Sequence, residues 1–130
     1  SSNIKQFFAD EFYGGGLYVS WKAQTEDIND TSPGTNANIA AVSVPPALFS
    51  RLKVRLSESG TTSLLITETQ QDNEQPTGEN STLFNTSSSN QNTVEITRKV
   101  NTSSEIRYHS SRGTVSGFDV LTLGWFDPRR

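Results

Sequence analysis

The 130-residue chain contains no cysteine and no methionine. Without cysteine there is no disulfide framework and no thiolate metal site. That is unusual for a small secreted eukaryotic domain. Histidine occurs once, at His109, so a single chain cannot build a two-histidine metal centre. Long apolar runs are missing too. None approaches the roughly 20 residues of a membrane span, and no signal peptide is visible, so no stable membrane insertion is expected. Charge is scarce: charged residues make up 19% and the net charge is -3. That leaves no basic footprint for nucleic acid. Hydrophobic residues, at 32%, are few for a globular chain. Disorder pairs low hydrophobicity with high net charge; this chain has only the first. With Ser1 in place of a starting Met, the chain is expected to be a fragment or processed product.

What is there is Ser, Thr, Asn and Gln between short apolar runs. Residues 114–130, TVSGFDVLTLGWFDPRR, read as one long strand. Strict alternation puts Phe118, Val120, Thr122 and Phe126 on one face, and Asp119, Leu121, Leu123 and Trp125 on the other. Both faces are mostly apolar, so this strand expects cover on both sides. An opposing sheet supplies one cover; a neighbouring subunit is the simplest source of the other.

In residues 1–13, Ile4, Phe7, Phe8 and Phe12 approximate helical spacing. They are expected to form an N-terminal arm packed on the domain, or the end of a coiled-coil or fibrous stalk. Gly14-Gly15-Gly16 is a hinge into the domain proper, residues 14–130. Residues 17–23 alternate, with Leu17, Val19 and Trp21 inward and Tyr18, Ser20 and Lys22 outward. Residues 24–36 read as a polar loop. A short strand over 39–44 ends at Pro45-Pro46. Over 47–56, Leu48, Leu52, Val54 and Leu56 face one way, and Phe49, Arg51, Lys53 and Arg55 the other. A strand over 61–69 is followed by a long polar stretch, 70–92, with a brief Leu83-Phe84 inside it. Strands over 93–100 and 105–110 precede the last one. Seven or eight strands and almost no helix make this an all-β chain, a jelly-roll-like β-sandwich with a short N-terminal arm.

Catalytic chemistry is hard to find. His109 has Ser110 and Ser111 beside it, but adjacent strand residues point to opposite faces, so no triad forms. His109 is expected at the surface or an interface. Glu68, Glu95, Glu105, Asp119 and Asp127 could supply a carboxylate pair. Asp119, between apolar neighbours, is better explained as a buried acid paired with an arginine, for example Arg51, Arg55 or Arg107. With no nucleophile or metal motif, no enzymatic activity, cofactor or metal is expected. Binding residues are easier to name. Arg51, Lys53, Arg55 and Arg107 form a basic set suited to an acidic ligand at a subunit boundary. The same row would also serve solubility and edge protection. Trp21 and Trp125 offer flat apolar faces for sugars, though their strand positions favour core or interface packing. Tyr13, Tyr18 and Tyr108 are better placed for exposed recognition.

The closing GWFDPRR, after FDVLTL, resembles the C-terminal ends of some tailed-bacteriophage structural proteins. The motif spans Gly124 to Arg129. The wider pattern, with its Ser/Thr/Asn-rich composition and absence of cysteine, resembles trimeric jelly-roll knobs of the tumour-necrosis-factor-like type that cap phage fibres and tail needles. The resemblance implies a homotrimer in an extracellular virion tail. It implies a knob that attaches to a host cell-surface glycan or protein, or takes part in penetration. It carries no matched binding residues. The alternative reading is a monomeric carbohydrate-binding module.

Overall fold

A computed structural model describes residues 7–11, 16–58, 60–85 and 90–128, the first segment and Asn90 by backbone alone. Nine strands run through them: β1 (Phe7–Glu11), β2 (Leu17–Asn29), β3 (Asn38–Ala41), β4 (Phe49–Glu58), β5 (Thr62–Glu68), β6 (Leu83–Asn85), β7 (Asn90–Lys99), β8 (Glu105–Ser110) and β9 (Gly117–Asp127). None of the described residues is helical. The strands form two antiparallel sheets, one ordered β1-β2-β9-β4-β7 and the other β3-β8-β5-β6. From β2 onward, each strand pairs with its mirror image along the chain: β2 with β9, β3 with β8, β4 with β7 and β5 with β6.

The sheets pack face to face around a core built by alternation. On β4, Ser50, Leu52, Val54 and Leu56 are buried, while Phe49, Arg51, Lys53 and Arg55 turn out. Leu64 and Ile66 of β5 and Ile106 of β8 meet them from the opposite sheet, and Phe118 and Val120 of β9 continue the same buried layer beside them. Burying one such side chain fully stabilises by about 1.5–3 kcal/mol. Trp21 and Trp125 pack edge to face at 5.2 Å and 69° beside this core.

Two irregularities redirect side chains. In β9, Leu123 is an extra residue between Thr122, opposite Leu52, and Gly124, opposite Arg51. A bulge of this kind inverts the alternation beyond it. Trp125 therefore turns inward opposite Ser50, and Phe126 turns outward opposite Phe49. This reverses the faces that strict alternation assigns to the two. In β2, the bulge between Glu26 and Ile28 frees Asp27. Its carboxylate accepts hydrogen bonds from the Ser43 N–H (2.7 Å), the Ser43 hydroxyl (2.8 Å) and the Thr122 hydroxyl. The Trp21 indole N–H donates to the Ser43 carbonyl (3.0 Å). Together these bonds strap the segment between β3 and β4 to the larger sheet.

Other expectations also change. Phe7–Glu11 is an edge strand paired with β2 rather than helix, because backbone pairing overrides a weak helical pattern. The remainder of the expected arm, and Gly14 and Gly15 of the hinge, lie outside the described residues. Residues 24–29 continue β2 instead of opening a loop. Gln24, Glu26 and Asn29 are exposed, Asp27 is half-buried, and Thr25 and Ile28 are buried. His109 is buried, not superficial, at 2% exposure. Its Nε2 lies 2.8 Å from the Thr35 carbonyl and its Nδ1 3.2 Å from the Asn73 side-chain oxygen. Arg107, on the same face, donates to the Gln71 and Thr69 carbonyls. The polar stretch after β5 thus covers the outer face of the smaller sheet.

Candidate functional site

The outer face of the five-stranded sheet gathers Arg51, Lys53, Arg55 and Tyr18 of the expected binding residues. Register fixes its layout in rows across the strands. One row runs Tyr18, Phe126, Phe49, Lys99. The next runs Ser20, Gly124, Arg51, Thr97, then Glu26, Leu121, Lys53, Glu95, and last Asn29, Asp119, Arg55, Thr93. The face is therefore aromatic at the end near Pro128 and charged at the other.

The charged end is internally paired. Arg55 donates to both Asp119 oxygens, Nε at 2.7 Å and an Nη at 2.6 Å. Asp119 is one strand over and directly in register, and its side chain is only 10% exposed. The hydrogen bonds and charge of Asp119 raise the Arg55 pKa further above its ordinary value. The acid that looked out of place in the sequence has the arginine partner expected of it. Arg51 makes a single 3.2 Å contact with Glu95, whose side chain is 60% exposed. Among the described residues, Lys53 and Lys99 form no ion pair.

At the aromatic end, Arg51 reaches across β9, over the position of Gly124, to set its guanidinium 4.5 Å from the centre of the Tyr18 ring. Lys99 sits above Phe49 at 5.9 Å. Tyr18, Phe49 and Phe126, with Arg51, Thr97 and Pro128, line a shallow, open cleft of about 450 Å³. That volume suits a small ligand, and such clefts are lined by apolar surface with a few polar groups.

No protein-family model matches the chain, and no curated protein matches it in sequence.

The other expected residues are elsewhere. Arg107 belongs to β8 in the opposite sheet, where backbone carbonyls engage it. Tyr108 is buried beside Phe118, with its hydroxyl donating to Asp30 at 2.8 Å. Desolvation, then this hydrogen bond, push its phenol pKa well above the ordinary range. Trp21 is half-buried, packing against the core with its N–H engaged. Tyr13 lies outside the described residues. The carboxylates considered for acid–base work are dispersed. Asp119 is held by Arg55, Glu95 by Arg51, and Glu105 by Asn101. Among the described residues, no group of three or more His, Cys, Asp or Glu could hold a metal ion. Phe49, Phe126 and Lys99 were missed as a set. Each is unremarkable alone, and only the register between strands distant in sequence unites them.

Proposed function

We propose that this chain is the distal knob of a phage tail fibre or tail needle, a homotrimeric jelly roll acting in host cell-surface attachment or penetration. The mirror-image strand pairing supports the jelly-roll reading, since such folds wrap one long hairpin into two sheets. The observation that carries assembly is the outer face of β9. It is the middle strand of five, and it keeps Leu121 and Phe126 half-buried on the side away from the core. A neighbouring copy is the cover this strip fits, and around a closed symmetry axis each copy covers the next. The terminal Gly124–Arg129 motif adds the phage setting.

Light scattering on a sizing column at micromolar concentration tests this directly. A mass three times the chain's 14.3 kDa is expected; a monomer refutes the assembly argument. The aromatic cleft favours a second reading, the monomeric carbohydrate-binding module, which a monomeric mass would bring forward.

A further inference from the structure

We propose that the polar 70–82 segment of one copy docks on the outer face of β4 and β9 of the next, bringing a carboxylate to Lys53. This deepens the assembly reading and rests on it, by naming the second surface of the contact and the charge that selects it.

Lys53 is half-buried in the middle of β4, directly opposite Leu121 of β9. Two residues before it, Arg51 is held by Glu95; two residues after it, Arg55 is held by Asp119. Lys53 itself forms no ion pair among the described residues. A copy that covers Leu121 also covers Lys53 beside it. Burying that charge without a partner is costly, so the covering surface has to bring a carboxylate. Most described carboxylates are already engaged within their own chain. Asp119 and Glu58 face arginines, and Asp27 and Asp30 accept hydroxyls. Glu26, Glu68, Glu95 and Glu105 each accept a hydrogen bond. Asp72, Glu74 and Glu79 are left, exposed and in no ion pair. All three belong to the 70–82 segment, inside a stretch, 56–97, that contains no lysine or arginine. The segment is pinned to its own domain. Arg107 donates to the Gln71 carbonyl at 2.6 Å, and Asn80 ties Thr77 and Gln75 at 2.7 and 3.0 Å. An ordered loop loses less entropy on docking than a loose one. Glu74 and Asn80 border Thr97 and Arg98 of β7, so the segment reaches the flank that adjoins the outer face. A head-to-tail contact between adjoining sides turns each copy against the last and can close into a ring; between opposite sides it would stack into a filament.

Light scattering of the whole chain over a concentration series at low salt, with circular dichroism melts to check each fold, tests the contact by charge reversal. Lys53→Glu sets like charges against each other and should weaken association at least about tenfold. The segment reversal Asp72→Lys/Glu74→Lys/Glu79→Lys should do the same. It changes only exposed side chains outside any ion pair, so the fold should stand. Both changes in one chain exchange the signs at every contact and should restore the parent mass, a rescue that damage to the domain itself would not show. If Lys53→Glu does not fold, Lys53→Gln with the segment reversal alone decides, each expected to weaken association. A trimer whose mass ignores both reversals overturns this contact and leaves the knob reading standing. A parent chain that is monomeric overturns both. A mass that climbs past three copies with concentration, and collapses on either reversal, keeps the contact and removes the closed knob.

Discussion

Replacing Gly124 with alanine should damage this fold more than its single added methyl suggests. Gly124 stands at the β9 bulge, opposite Ser20 on one side and Arg51 on the other. A Cβ built there would overlap the Val19 carbonyl oxygen and lie 2.8 Å from the Ser20 Cα. Both are backbone atoms, so no rotamer change relieves the contact. Overpacking of this sort costs about 1–3 kcal/mol. Moving β2 away would also weaken adjacent ladder hydrogen bonds, each worth about 1 kcal/mol. A loss of about 3 kcal/mol or more is therefore expected, which lowers the melting temperature by roughly 10 °C in a domain of this size. Urea and thermal unfolding followed by tryptophan fluorescence at fixed protein concentration would measure it, because Trp125 is the next residue. Gly113→Ala is the control. Nothing lies within 4 Å of its added Cβ, so it should stay within about 0.5 kcal/mol of the parent. A Gly124→Ala variant as stable as Gly113→Ala would refute the close-approach argument.

Arg55→Ala strips both guanidinium donors from Asp119, whose side chain is 10% exposed; a loss of about 1–3 kcal/mol is expected. A double-mutant cycle with Asp119→Ala should return a coupling above roughly 0.5 kcal/mol. Asp27→Ala leaves the fully buried Thr122 hydroxyl and the Ser43 N–H without their acceptor. It should cost about 2–3 kcal/mol in thermal unfolding, with Asp27→Asn less harmful. Tyr108 sets an alkaline limit. The folded state favours its neutral phenol, so its contribution is intact below the ordinary tyrosine pKa of about 10 and is lost as pH rises above it. Stability should fall above that pH, and Tyr108 phenolate absorbance should appear together with unfolding. Tyr108→Phe should flatten the fall.

Where the sequence was easy to read, local pattern and tertiary structure agree. The alternation of β4 placed Leu52, Val54 and Leu56 inside and the basic row outside, as found. Leu17, Val19 and Trp21 were likewise placed inward, and all three contribute to or pack on the core. Where reading failed, the cause lay far along the chain. One extra residue at Leu123 exchanged the faces of Trp125 and Phe126, and nothing local marks that bulge except the glycine after it. Residues 24–29 looked like loop because strand pairing, not side-chain burial, holds most of them. His109 looked superficial because its cover comes from Asn73 and Thr35, 36 and 74 residues away. The partner of Asp119 was narrowed to three arginines by chemistry. Register chose among them, setting Arg55 opposite it across a separation of 64 residues.

The mirror-image pairing of the strands also governs how this chain reaches its fold. β9 is synthesised after the other eight strands, yet it occupies the centre of the larger sheet, between β2 and β4. Until it arrives, both neighbours present open edges, and an open edge invites pairing with another chain. Nearly every sheet contact must also close a long loop, so folding should be slow, in the millisecond-to-second range typical of β-sandwiches. Growing chains held close together would meet one another's open edges before their own last strand is made. Correct assembly then depends on each β9 reaching its own β2 and β4 before a neighbour's strand does.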